Sequence, residues 1–589
     1  MTKIAITPHR LSPLSGEPGA LELAGLLGGD ASSEEVVVAY HERTKHHFHR
    51  YAAAQGYMDW ATHPDPFRRY AGADLVRLPL PKAGHPLPYW QLYARETVPP
   101  TPLSLQSVSL FFRYALSLTA WKQVDETRRP LRANPSSGNL HPTEGYALLP
   151  ALEQLGVVGV VGDGAAVYHY APREHALERR AVLAAKRWTE LITPFPKGAF
   201  LVGLSSVHWR EAWKYGERAF RYCQHDVGHA LASLRIAAAA LGWRLVLLDG
   251  VSDDVLSNLL GLDRDEGFTE AEREEAELLV LITPNFSMPL PTDSKPLTAH
   301  GAGVFWQGRA NTLSPEHSVE WPVIDEVAQA TRRCESSPIQ EDFSGFPSQE
   351  ELFGTPVRQG LLTAEKAILG RRSAVAMDGS TAISQAAFFR MLARLIPTRD
   401  GRSMPWDAIP WRPRIHLGLF VHHVDGLAPG LYALVRDPDK VEILKAVMGA
   451  EFCWQRVPHC PPGHPLYLLQ EGDCRALATT VSCGQAIAGD GAFSLAMIAD
   501  YRDSLATYGA AFYRNLFWEA GMVGHLLYLE AEDAGIRATG IGCYFDDPVH
   551  AALGIASREW QSFYHFTVGA PVEDVRLSTL PAYNFEEER

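Results

Sequence analysis

FRYCQHDVGHALASLRIAAAALGWRLVLLDGVSDDVLSNLLGL, residues 220–262, returns further along as YRNLFWEAGMVGHLLYLEAEDAGIRATGIGCYFDDPVHAALGI, residues 513–555. The two stretches align without a gap at one constant offset. Arg221 meets Arg514, Gly228 meets Gly521, Gly242 meets Gly535, and Arg244 meets Arg537. The pair Asp253 and Asp254 meets Asp546 and Asp547, and Asp226 faces Glu519. Each copy reads as an amphipathic helix of about 20 residues ending at a glycine, a C-cap signal. A short apolar strand follows, then a second helix whose first turn carries the two aspartates, where capping and the helix dipole explain them. Further on, ELLVLITP (277–284) and HFTVGAP (565–571) read as buried strands stopped by proline. Upstream, AVYHYAP (166–172) and GLYALVRDP (430–438) are strands in matching positions. The chain therefore contains one α+β unit twice, a duplication rather than a solenoid.

Length agrees, because 589 residues are too many for one core. The boundaries expected are an N-terminal extension at 1–100 packed on the first domain, a first domain at 101–285, a linker at 286–350 and a second domain at 351–589. The linker is rich in Pro, Ser and Gly. The 68 acidic residues outnumber the 54 basic ones, giving a net charge of −14, which argues against a nucleic-acid partner. The opening MTKIAITPHRLSPLSG lacks the apolar core of a secretory signal, and no stretch approaches the roughly 20 apolar residues of a membrane span. A cytoplasmic protein with no membrane partner is the expectation. Seven cysteines without a CxxC pair read as reduced thiols, not as a disulfide frame or a zinc site. No metal site is expected. His41, His46, His47 and His49 read as a solvated segment.

Three stretches carry chemistry. NPSSGNLHPTEGY (134–146) packs kinked, small and hydrogen-bonding residues together. ILGRRSAV (368–375) opens the second half. GIG at 540–542 is followed by FDD and, later, VGAPVEDVR (568–576). In this order and spacing they resemble the nitroreductase superfamily of FMN enzymes, its SagB-type dehydrogenase branch in particular.

The resemblance implies two tandem domains, each a central mixed, mainly antiparallel sheet flanked by helices, joined as an intrachain pseudo-dimer with a further homodimer left open. It implies FMN held between the domains. Arg371, Arg372 and Ser373 would hold its phosphate and pyrimidine edge, with Arg576 a second phosphate ligand. Gly540, Ile541 and Gly542 would lie against the ring, and Pro135, Ser136, Ser137 and Asn139 would cover it from the other half. Arginine suits a phosphate because its planar fork donates in pairs.

The copies differ at these places. At the RRS position the first half has Glu42, Arg43 and Thr44; at the GIG position it has Leu247, Leu248 and Asp249; the second half has no PSSGN run. One site per chain is the economical expectation. Lys214 and Tyr215 match a Lys-Tyr pair of azoline dehydrogenases, which would make them catalytic; a structural helix start is the alternative. The implied activity is FMN-dependent oxidoreduction on a small molecule or peptide, with NADH or NADPH as donor in reductase members. The alternatives are a peptide thiazoline or oxazoline dehydrogenase, or a silent flavin- or partner-binding module.

Overall fold

The computed structural model describes residues 3–4, 31–81, 84, 86–94, 97–155, 164–284, 297–298, 304–334, 338–354, 361–401, 403–574 and 576–583. Most of the opening stretch, Val575, and residues 286–296 and 299–303 of the expected linker lie outside them.

The first half supplies β1 (Asp74–Arg77), β2 (Leu118–Val124), β3 (Thr127–Arg132), β4 (Thr143–Leu149), β5 (Ala166–Ala171), β6 (Ala176–Val182), β7 (Phe200–Ser206), β8 (Arg244–Leu247) and β9 (Glu275–Thr283). The second supplies β10 (Ile415–Val421), β11 (Gly430–Leu434), β12 (Gln455–Arg456), β13 (Leu466–Glu471), β14 (Phe493–Asp500), β15 (Arg537–Ile541), β16 (Trp560–Gly569) and β17 (Ser578–Pro581). One sheet has the order β1-β6-β5-β4-β7-β9-β8 and the other β12-β13-β11-β10-β14-β16-β15. Apart from the edge strands β1 and β12, matching strands take matching places, and every neighbouring pair is antiparallel. The fold is α+β, with two like sheets flanked by helices.

The helices used below are α1 (Ser33–Arg43), α2 (His208–Tyr215), α3 (Ala219–Ala240), α4 (Asp253–Leu260), α5 (Ala364–Gly370), α6 (Phe512–Asp533) and α7 (Asp546–Ala552). The long helices α3 and α6 pack on each other, and the main apolar core, drawn from both halves, closes around them. Smaller cores lie on the outer side of each sheet, under α4 in one half and α7 in the other. Central strands such as β14 and β16 are buried on both faces, and the polar residues they carry, such as Ser494, Gln561 and Thr567, are buried with them. Among the described residues no helix is long and apolar enough to cross a membrane.

Gly228 and Gly521 mark the crossing of α3 and α6. A Cβ on Gly228 would run into the Trp518 carbonyl, and one on Gly521 into the His225 carbonyl. Alanine is the better helix former by about 1 kcal/mol. Gly521→Ala should nevertheless lower stability by about 1–3 kcal/mol, because the backbones would have to part. A urea midpoint equal to or above the wild type would contradict that close approach.

The repeated aspartates do not cap their helices as expected, because the N-cap positions are held by Ser252 and Phe545. Ser252 is the N-cap of α4, accepting from the Val255 amide. Asp253 takes Arg514 Nη2 at 2.7 Å, and its counterpart Asp546 takes Arg221 Nη1 at 2.9 Å. Each arginine comes from the opposite half, so residue i meets j and j meets i, as across a two-fold axis.

A separate ribbon has the order β17-β2-β3. It joins the end of the described chain to the strand pair that leads into residues 134–141.

Candidate functional site

Arg371 is the C-cap of α5, and the chain then runs beside β15: Ser373 bridges Ala538, and the Ala374 amide donates to the Ala538 carbonyl at 3.1 Å. This brings Arg371 and Arg372 next to Arg537, with one carboxylate, Glu532, among them. Glu532 accepts from the Arg372 amide at 3.1 Å and pairs with Arg537. Arg371 is buried; its Nη2 donates to the Arg132 carbonyl at 3.0 Å, and its Nε has no partner among the described residues. Burial, then Arg371 and Arg537, push Arg372 down to about 10 against the pull of Glu532. Three guanidiniums share one carboxylate, so the cluster carries positive charge that nothing beside it among the described residues balances.

Tyr528 of α6 ties this shelf to the strand. Its hydroxyl lies 2.9 Å from Ser373 Oγ and accepts from the Gly540 amide at 3.0 Å, and Arg371 lies over its ring at 5.0 Å. Gly540 and Gly542 do not have positive φ, so they are not turn glycines. They are needed because tyrosines lie on them: a side chain at Gly540 would strike Tyr564, and one at Gly542 would strike Tyr222, whose hydroxyl donates to the Gly542 carbonyl at 3.1 Å. The Ile541 side chain points into the outer core of the second half, so only its main chain faces the site.

The 134–141 loop arrives from the other half. β3 delivers it beside the shelf: Arg372 Nη1 donates to Thr119 Oγ1 on β2 at 3.3 Å, and Arg371 reaches the last residue of β3. From Arg132 to Ser136 the chain can span at most roughly 14 Å. Within the loop Gly138, Asn139 and His141 are all left-handed, with φ of 58°, 61° and 54°. The side chains hold that shape. Ser136 Oγ accepts from the His141 amide at 2.8 Å, and Asn139 Nδ2 donates to the Pro130 carbonyl at 2.9 Å. The Ser137 amide and hydroxyl both donate to Asp226 of α3, at 2.9 and 3.0 Å. Pro135 is buried and Gly138 is the exposed tip. The polar side chains are thus committed to shaping the loop.

Lys214 and Tyr215, at the end of α2, sit against that tip. A Cβ on Gly138 would lie 2.6 Å from the Tyr215 hydroxyl and 3.2 Å from Lys214 Nζ. Tyr215 also meets Tyr222, with ring centroids 4.4 Å apart. A continuous path of contacts therefore runs from Lys214 through Tyr215 and Tyr222 to Gly542. Burial lowers the Lys214 pKa, Arg129 adds to that, and Glu211 opposes.

Arg576 stands apart: its side chain is 80% exposed and pairs with Asp574 at 2.8 Å. Glu42, Arg43 and Thr44 do not run beside β8 as the RRS stretch runs beside β15. Arg43 pairs with Glu217, and Thr44 takes Arg221 Nε at 3.0 Å. Two of the nearby histidines correct the expectation of a solvated segment, while His47 is half-buried and His49 exposed. His41 is fully buried, stacked on Tyr501 at 4.8 Å, and His46 is buried as well.

In the first half the counterpart of the GIG stretch is filled. Asp249 Oδ2 accepts from the Ile339 amide at 2.8 Å. Arg333 exchanges main-chain and side-chain bonds with Asp253 and donates to Asn515, the counterpart of Tyr222, at 3.0 Å.

Residues 467–570, which span β13 to the end of β16, match the Nitroreductase family. That stretch of the second half is similar to the nitroreductase family. It is 31% identical over 183 residues to the trifolitoxin-processing protein TfxB of Rhizobium leguminosarum bv. trifolii, covering 29% of this chain and 47% of TfxB. It is 27% identical over 169 residues to MJ1384 of Methanocaldococcus jannaschii, a candidate nitroreductase, covering 27% of this chain and 75% of that protein. The chain thus spans about half the length of the first of these relatives. A crystal structure of a candidate nitroreductase from Anabaena variabilis ATCC 29413 superimposes over 91% of this chain and 99% of its own, with a TM-score of 0.65 at 22% identity. The tandem fold is therefore shared almost end to end.

Two residues of this shelf and loop escaped the sequence reading. Arg537 is aligned with Arg244 in the repeat, so its recurrence made it look structural. Asp226 is aligned with Glu519, but the two have parted. Glu519 pairs with Arg436 and accepts the Arg414 and Ile415 amides inside its own half, whereas Asp226 anchors the 134–141 loop. The exchange of one acid for the other was the signal available.

Proposed function

We propose that this chain is an FMN-dependent oxidoreductase with one flavin site, formed between two domains at 101–285 and 351–589 that act as an intrachain pseudo-dimer. The observation that carries the reading is the shelf of Arg371, Arg372 and Arg537, with its unbalanced charge and the partnerless Nε of Arg371. Such a cluster suits a phosphate, which accepts paired bonds from guanidinium. FMN brings that phosphate, and when bound it supplies hydride acceptance at its N5. Ser373, Tyr528 and the main chain of Gly540–Gly542 would support the ring edge, and the 134–141 loop would close over it. The count of one rests on Arg333 and Ile339 filling the counterpart in the first half.

The donor is either NADH or NADPH or the substrate itself. The likeness to TfxB, a protein named for processing trifolitoxin, favours a modified peptide as substrate, and Lys214 favours proton abstraction from it. A lysine with a lowered pKa, held against Tyr215 beside the loop tip, is suited to act as a base.

An absorption spectrum with flavin quantified per chain tests the site: one equivalent is expected, and two or none would overturn the reading. Lys214→Met separates the substrates. It should keep its flavin and lose about 100-fold or more in oxidising a thiazoline-containing peptide. Reduction of ferricyanide by NADH should be spared. Equal rates with the peptide would leave Lys214 structural.

A further inference from the structure

Thirteen large apolar side chains are exposed among the described residues, and five of them fall in one short stretch: Phe48, Tyr51, Tyr57, Met58 and Trp60, each 37% to 67% exposed. Single exposed apolar residues are ordinary, but a cluster of them marks a contact surface. The backbone that carries them is held. The Ala52 amide donates to His46 Nδ1 at 2.9 Å, and the Ala53 carbonyl accepts from the Glu217 amide at 3.0 Å. Gln55 Nε2 donates to Ser318 Oγ at 2.9 Å. Asp59 caps the turn Trp60–Thr62 by accepting from the Ala61 amide at 3.0 Å, and Thr62 Oγ1 accepts from Trp213 Nε1 at 3.1 Å. The rings therefore meet solvent from a fixed frame, which lowers the ordering cost of covering them.

The stretch runs along the candidate site. At one end Phe48 and Tyr51 rest on Phe545, just past Gly542, with ring centroids 4.8 and 5.7 Å away. At the other end Trp60 meets Trp213, the neighbour of Lys214, at 5.5 Å. Between them, a side chain at Gly216 would strike the Ala53 carbonyl. The two ends thus bracket the path from Lys214 through Tyr215 and Tyr222 to Gly542. The charge of the stretch runs against that of the chain. From Lys45 to Trp60 the one acid is Asp59, which is spent on its cap, whereas the whole sequence carries −14. Arg50 is exposed, and Arg129 of β3, exposed as well, lays its guanidinium 5.1 Å over the Trp60 ring. Neither pairs with a carboxylate among the described residues. Stacking on the ring fixes the Arg129 cation without neutralising it.

We propose that residues 48–60, with Arg129, form a rim that recognises an acidic peptide segment bearing aromatic or large aliphatic side chains, next to the residue on which the site acts. The proposal rests on the reading of that site as an oxidoreductase with a peptide substrate. The apolar side chains of the segment cover the rings, and its carboxylates pair with Arg50 and Arg129. Aromatic side chains and arginine are the groups that carry most of the energy at such contacts. Opposite charge selects the partner and speeds its arrival. A second copy of the chain is the poorer occupant, because a two-fold contact would bring the same arginines face to face.

The test uses the full chain, its flavin content measured, and two fluorescein-labelled peptides. In one, Phe and Glu alternate around a central Gly-Cys; in the other, Lys replaces Glu. Fluorescence anisotropy should show the glutamate peptide bound at least about 10-fold tighter than the lysine peptide. Tyr57→Ser combined with Met58→Ser should weaken the glutamate peptide by about 5–10-fold. Arg50→Glu should bring the two peptides within about 2-fold of each other. These changes fall on exposed side chains, and the wild-type comparison decides the matter even if a variant fails to fold. Equal affinity for the two peptides, or variants that bind as the wild type does, would overturn the proposal. So would displacement of the glutamate peptide by phosphatidylserine vesicles or oligothymidine as readily as by unlabelled peptide, or a dimer of the chain that the Tyr57 and Met58 changes dissolve. Glutamate-peptide binding by a chain that holds no flavin would keep the rim and remove the oxidoreductase reading; one flavin per chain with no peptide preference would do the reverse.

Discussion

Asp546→Ala should lower stability by about 3–5 kcal/mol, the usual cost of leaving a buried ion without its partner. Asp546 is fully buried and meets Arg221 at 2.9 Å and Arg218 at 3.1 Å, one arginine on each carboxylate oxygen. Its second oxygen also accepts the His46 amide at 2.9 Å. Removing it strands two guanidiniums at the joint between the halves. The mirrored change, Asp253→Ala, should cost less. Arg514 keeps a second acid, Glu277, at 3.5 Å, which burial has pushed up to about 7 and which the freed arginine can ionise. Burial alone would raise the Asp546 pKa, but the two arginines overcome it and hold it far below the ordinary range. A carboxyl depressed in the folded state stabilises fully above its unfolded pKa of about 3.9, and that benefit drains as pH falls towards the folded value. The gap between wild type and Asp546→Ala should thus be flat from pH 8 to about 5 and shrink only in stronger acid. Urea titration followed by tryptophan fluorescence measures it. A loss under about 1 kcal/mol at pH 7 would mean the pair is not as buried as described.

Arg371→Ala should weaken FMN binding by roughly 10–100-fold, the value of one or two charge-assisted bonds. Arg372→Ala should do the same, but its effect on the apoprotein should be of opposite sign. Arg372 is pressed by burial and by its like-charged neighbours Arg371 and Arg537. Taking it away relieves the empty shelf, so the apoprotein should be as stable as wild type or more so while affinity falls. Flavin fluorescence titration gives the first quantity and apoprotein melting the second. If Arg372→Ala both destabilised the apoprotein and left affinity unchanged, the cluster would be structural and the flavin reading would lose its main support.

The fold was legible because duplication printed its evidence twice. A helix ending at Gly242 and again at Gly535, and a strand stopped by proline in each copy, left little freedom. The candidate site was legible as motifs where chemistry is local, as in the arginine pair at 371–372 and the kinked loop at 134–141. It was not legible where a role is decided by what arrives from elsewhere. Nothing near Asp226 in sequence says that it will hold Ser137 while Glu519 holds Arg436. Ile541 sits between two glycines of the site yet faces a core, because successive strand residues point to opposite sides. Arg576 had the right charge and found its partner two residues away. His41, which looks solvated by composition, is buried because aromatic rings from the second half close on it.

The ribbon β17-β2-β3 sets an order in time. Trp121 Nε1 donates to the Ala582 carbonyl at 3.1 Å across a separation of 461 residues. A ribosome makes β2 and β3 long before β17, so the strand pair that presents the 134–141 loop must wait for its outer neighbour until residues 578–581 have emerged. Closure between points so distant along a polymer is slow, and the nascent protein would acquire its grip on any cofactor only after that strand has docked.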